Sequence, residues 1–234
     1  MTWHMSETRH QVERLFGREQ AVLARPSIKS VIDRQDYARY HYQEVLGLLS
    51  EFAAVHLQNR ILLDVSMAQD EARLAFETVM TKLGAHLVAC VQSIHAIPDI
   101  LAHVFYYALG LNLQEELGER AISAASVRKL LDGNPKYSDL ADALRSLVAD
   151  GQARHLAALA NHSKHRSIVQ PMLNEDWTGE RENRHEVRFA PFIYSDVPYP
   201  EIAVAVLLEP EYARSSQVTI KAGEKLNQVL QALT

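Results

Sequence analysis

The sequence predicts a mainly α fold, a helical bundle built around one long helix, with a single small β-hairpin near residues 187–208. Three observations carry this. Apolar residues recur at helical spacing through most of the first 170 positions. Gly and Pro are scarce, 9 and 8 in 234 residues, which excludes a loop-rich or low-complexity chain. Only the stretch after Pro171 shifts toward β-prone composition.

The elements follow in order. Residues 1–32 are mixed and charged, with room for a short helix from Ser6, and Pro26 is expected to end whatever precedes it. Asp33 to Gln58 reads as a strong helix, capped by Asp33 or Asp36. Its face carries Tyr37, Tyr40, His41, Val45, Leu48, Leu49, Phe52 and Val55, so the tyrosines are expected in the core with their hydroxyls at its edge. Ser66 to about Leu109 is one long apolar pattern, with a kink or restart expected at Ser93–Pro98.

Gly110 suits a helix C-cap. Ser123–Leu131, Ser138–Val148 and Ala153–Ile168 read as three further helices, separated by the Asp132–Pro135 turn and by Asp150-Gly151. Val187–Tyr194 is β-prone. Pro198 and Pro200 exclude a regular central strand. Ile202–Leu208 is strand or helix, since periodicity cannot decide so short a run. Gln217–Leu233 is a terminal helix. The composition divides the chain into an extension at 1–32, a helical core at 33–170 and a C-terminal extension at 171–234.

Composition also bounds function. The lone cysteine, Cys90, excludes an internal disulfide framework and a cysteine-rich zinc module, and its apolar surroundings suit a buried, inert thiol. The net charge of -5 argues against a protein that coats nucleic acid, while leaving room for a local basic patch. Charges at Glu7, Arg9, Glu13, Arg14, Arg18 and Glu19 interrupt any signal peptide. Apolar runs such as Ala203–Leu208 fall far short of a membrane span. The expectation is a cytoplasmic protein with no membrane partner and no cofactor.

Two segments carry candidate chemistry. In the first, His95, Asp99 and His103 stand four residues apart on one helix face, so His95 and His103 are ~12 Å apart along the axis. One ion cannot take all three, although either neighbouring pair can supply two ligands. A polar stripe or a cap after Pro98 is the favoured reading over metal. In the second, no acidic residue occurs from Gly151 to Asn174, where Arg154, Lys164, Arg166 and three histidines make a local cationic face. Asn161, Lys164 and His165 converge at i, i+3 and i+4, with His162 and Arg166 beside them. An orienting amide, a cation and a group that titrates near neutral pH suit binding or cleavage of a phosphodiester. Equally, Lys164 and Arg166 can simply complement a helix C-terminus. A buried Asp99 would need a cation, which makes Asp99–His165 or Asp99–Lys164 the sharpest expected pairing.

The stretch Ala160-Asn161-His162-Ser163-Lys164-His165 at the end of a late helix resembles the motif of the HEPN superfamily: Arg, a polar residue, three variable residues, His. Asn161 and His165 match. Ala160 stands where the motif has Arg, so no arginine carries over, and Lys164, Arg166 or Arg154 would have to supply the cation. The resemblance spans roughly Asp33 to Val169. It implies a HEPN-like helical core, a homodimer, RNA as a partner or as the substrate of a metal-independent endoribonuclease, an antitoxin-like protein as a further candidate partner, His165 as acid/base and Asn161 as its companion. The competing readings are a non-catalytic helical interaction protein, and a metal-dependent helical enzyme using His95, Asp99 and His103.

Overall fold

The computed structural model describes residues 2–149, 151–181 and 183–233. Among them are eight α-helices and five short strands. The helices are α1 (Met5–Phe16), α2 (Arg18–His56), α3 (Leu62–Ser66), α4 (Glu71–Ala108), α5 (Ala124–Asp132), α6 (Ser138–Ala149), α7 (Gly151–His165) and α8 (Val204–Ala232). The strands are β1 (Pro171–Glu175), β2 (His185–Phe189), β3 (Phe192–Tyr194), β4 (Val197–Tyr199) and β5 (Ile202–Ala203). The mainly α reading with a small late hairpin therefore stands.

The chain divides into two compact units, each assembled from separated segments. The first comprises Met1–Asp36, Ile94–Arg154 and Glu211–Thr234; the second comprises Tyr37–Ser93 and His155–Pro210.

In the first unit, Val12, Ile28 and Val31 bury against Leu101, Phe105, Leu109, Leu140, Leu144 and Leu226. Ser123 caps α5 through a reciprocal bond with Ser126, so the expected N-terminus is met one residue outside the helix. Gly110 takes φ +64 and its N–H reaches Tyr107 O, ending α4 as the sequence suggested. Buried Glu211 is gripped by Arg214 through Nε at 2.8 Å and Nη2 at 2.6 Å. The same guanidinium donates to Ser146 O and Leu147 O, closing the last turn of α6.

In the second unit, β1, β2 and β5 form an antiparallel sheet, with Leu173 opposite Val187 and Phe189 opposite Ile202. Alternation buries Leu173, Val187 and Phe189 on one face. Gly84, Leu87 and Val91 of α4, Leu159 of α7, and Pro171 and Phe189 of the sheet close around a residual cavity of only about 10 Å³. Glu175 is buried at the end of β1. It accepts from Leu62 N–H at 2.8 Å and Trp177 Nε1 at 3.0 Å and pairs with Arg184 at 2.7 Å. Burial pushes its carboxyl up, but these partners outweigh that and hold it below the usual carboxylate range. Cys90 is buried as expected, donates to Ala38 O, and has its thiol pushed up to about 12 by burial.

Several sequence expectations change. Pro26 does not end a helix; it lies inside α2, as Pro98 lies inside α4 and Pro210 inside α8. A proline interior to a helix costs ~3 kcal/mol. Here each has buried residues close before and after it: Ala24 and Ile28, Ile97 and Leu101, Leu208 and Glu211, whose packing offsets that cost. Asp33 is no cap, because α2 begins at Arg18; it pairs with Lys29 one turn earlier. Tyr37 and Tyr40 are more than half exposed, the buried stripe of α2 being Val31, Gln35, Ala38, Val45 and Phe52. Ile202–Leu208 is both strand and helix: β5 passes directly into α8, which starts 13 residues before the expected Gln217. The turn residue Asp150 lies outside the described residues.

The helix α4 is long and apolar enough to cross a membrane by composition, and half of its most apolar window is buried within the fold.

Candidate functional site

Helix α7 carries the cationic segment. Its first turns bury Ala153, Leu156, Ala158, Leu159 and Ala160. Its last turn ends in Lys164 and His165, and the chain leaves through Arg166 and Ser167, whose N–H groups both bond to His162 O.

The segment separates into an inner and an outer part. Lys164, His165 and Arg166 are exposed, with no hydrogen bond or ion pair from their side chains among the described residues. Asn161, one turn before His165, is half-buried. Successive helical residues point ~100° apart, so Lys164 and His165 point to different sides of the helix end, and Arg166 follows in the turn beyond it. The nearest acidic residue after them is Glu175, already committed to Leu62, Trp177 and Arg184. The outer part is an unneutralised cationic tip.

His162 belongs to the inner part. It is only 6% exposed, and its Nδ1 lies 2.8 Å from Ser167 O. A carbonyl only accepts, so this imidazole carries its proton on Nδ1. The bond staples the end of α7 to the chain that follows it. His162 is thus placed inside, not on the ligand-facing surface the sequence proposed for it.

His155, two turns earlier, is also buried. Its ring lies 5.8 Å from Phe192 and 5.0 Å from Tyr199, while His162 lies 5.3 Å from Phe192. Phe192 and Tyr199 face each other across β3 and β4 and stack at 5.0 Å with planes 9° apart. The hairpin turns at Ser195 and Asp196, both at positive φ, as a two-residue turn requires. His155 Nε2 is buried without a hydrogen-bond partner, and burial pushes the ring's pKa down. Sequence reading missed this aromatic box, because Phe192 and Tyr199 meet the histidines only through tertiary packing.

Ala160, which lines up with the arginine of the HEPN motif this stretch resembles, is completely buried. Its carbonyl accepts from Gln92 Nε2 of α4 at 3.0 Å. Arg154 is exposed near the opposite end of α7 from Lys164 and belongs to the first unit.

The other candidate face lies in the first unit. Asp99 is exposed, and its Oδ1 accepts from Ala124 N–H at 2.8 Å. It therefore reinforces the N-terminus of α5, a helix 25 residues downstream, where its charge also suits the dipole. That is the partner the structure gives it, in place of the expected His165 or Lys164. His95 and His103 are half-buried, and burial pushes His103 down despite nearby Asp99 and Glu119. Among the described residues no three His, Cys, Asp or Glu side chains converge as a metal cluster, so His95, Asp99 and His103 do not form one.

No protein-family model, no curated protein and no solved structure matches this chain. The fold and the residues of α7 carry the functional reading alone.

Proposed function

We propose that this chain is a HEPN-like, RNA-binding helical protein of the cytoplasm that acts as a homodimer. The Lys164–His165–Arg166 tip of α7 holds the phosphate backbone of a single strand, and the chain does not cut it. One observation carries the reading: three adjacent exposed side chains, none with a partner among the described residues, in a segment free of acid from Gly151 to Asn174, on a chain of net charge -5. Solvated cations such as Lys164 and Arg166, set this close together, are the means by which proteins replace the counterions of a polyphosphate. Binding without cleavage is favoured because Ala160 is sealed in the interior, so the motif position offers the scissile phosphate nothing. The Nδ1–H of His162, bonded to Ser167 O, fixes the angle at which the chain leaves α7 at the tip.

The test is fluorescence anisotropy with a labelled single-stranded RNA across a salt series, with the RNA run on a gel afterwards. Binding should weaken as salt rises. Lys164→Ala/Arg166→Ala should lower the slope of log K against log salt by about 1.4, two contacts at about 0.7 each. Intact RNA after incubation accords with the reading. Cleavage that needs His165 would replace it with a nuclease; absence of salt-dependent binding would replace it with a protein-interaction module.

A further inference from the structure

Far along the chain from the α7 tip, α2 and α4 bring two histidines together in the second unit. His41 and His86 are 45 residues apart in sequence, yet their Nδ1 atoms lie 3.0 Å from each other. Their ring centroids are 5.2 Å apart with planes inclined at 52°, and Tyr40 flanks His41 edge-on at 5.1 Å. Both histidines are half-buried, so the pair is held by the helices while one side stays open to water. The Cys90 thiol bonded to Ala38 O ties the same two helices one turn away.

We infer that His41 and His86 form a two-histidine binding site for a late first-row divalent ion such as Zn²⁺, Ni²⁺ or Cu²⁺, which clamps α2 to α4. The geometry is the argument. Imidazole nitrogens sit ~2.0–2.1 Å from such ions. Two of them are then ~2.9 Å apart at a right angle and ~3.3 Å apart at a tetrahedral one, from that same bond length. The observed 3.0 Å falls within this bite. In the free protein one Nδ1–H donates to the lone pair of the other ring, because two protons do not fit between them. The ion takes both Nδ1 lone pairs, and the displaced proton passes to Nε2 of its own ring, so both imidazoles stay neutral. Two neutral imidazoles select borderline-soft ions; Mg²⁺ and Ca²⁺ need oxygen ligands.

Among the described residues no third His, Cys, Asp or Glu completes a cluster here, so water fills the remaining positions. An ion with two protein ligands exchanges readily. The site is therefore a reversible fastener, distinct from a folding-obligate zinc centre.

The experiment titrates the tag-free full-length chain with NiCl₂, ZnCl₂ or MgCl₂, followed by calorimetry and thermal melts. One Ni²⁺ or Zn²⁺ per chain is expected. At about tenfold above Kd the melting temperature should rise by about 3–6 °C. MgCl₂ should do nothing. His41→Ala and His86→Ala should each lose at least about tenfold in affinity. His86→Asn keeps a hydrogen-bonding group against His41 and preserves the fold while losing the ion. Undiminished affinity in His86→Asn, half an ion per chain, an equal shift with MgCl₂, or no binding to the wild type would each overturn the site.

Discussion

Placing at position 160 the arginine of the HEPN motif that this stretch resembles should wreck the protein. Ala160 has no solvent exposure, and Leu156 and Leu159 of the same helix are buried with it. Forcing a larger side chain into a close-packed site costs about 1–3 kcal/mol. An unpaired cation brought in with it costs about 3–5 kcal/mol more, the scale seen when a buried pair loses one member. The sum, about 4–8 kcal/mol, is comparable to the whole stability of a typical domain. Ala160→Arg should therefore melt at least about 8 °C below the wild type, at roughly 2–4 °C per kcal/mol, or fail to fold. Circular dichroism melts of the two chains, with Ala160→Leu as a control for size without charge, measure this. The reasoning fails if Ala160→Arg melts within about 2 °C of the wild type. It also fails if the variant gains RNA cleavage, since the position would then be open to substrate.

Other consequences follow from the packing. Arg214→Met strands buried Glu211 and frees the Ser146 and Leu147 carbonyls, so it should cost about 3–5 kcal/mol by denaturant titration, and Glu211→Gln in the same chain should recover much of that. Gly223→Ala places a Cβ inside the space of the Trp3 ring, so the indole must leave its site and its bond to Thr8; tryptophan emission should shift to the red although alanine favours the helix. Trp177, already 70% exposed, supplies the unshifted reference. His155 has its pKa lowered by burial, so the unfolded chain takes up the proton first: the stabilisation is complete above the ordinary histidine value of about 6.5 and is lost as pH falls below it. Melts from about pH 8 to about pH 5 should show that loss, and His155→Phe should flatten it.

Local chemistry explains which parts of this fold were legible. The capping serine at 123, the glycine at 110 and the late hairpin are written in adjacent residues, and all appear where the sequence puts them. Prolines misled, because the sequence displays their local cost and hides the burial on either side that offsets it. The tyrosines of α2 misled for the reverse reason: Tyr37 and Tyr40 rank as core residues, but the buried stripe runs through Gln35 and the small Ala38. At the candidate site, the exposed Lys164–Arg166 tip follows from helix spacing and charge alone. The buried role of His162, the Asp99–Ala124 bond and the box of His155, Phe192 and Tyr199 depend on contacts across 5 to 44 positions, which no local pattern announces.

The central claim is that the cationic tip of α7 holds an RNA backbone without cutting it. The most direct measurement is the salt dependence of single-stranded RNA binding by wild type and Lys164→Ala/Arg166→Ala, with the RNA recovered and sized. The account predicts salt-sensitive binding, a slope smaller by about 1.4 in the variant, and full-length RNA throughout. Equal slopes for the two proteins, or RNA shortened by the wild type and spared by His165→Ala, would contradict it.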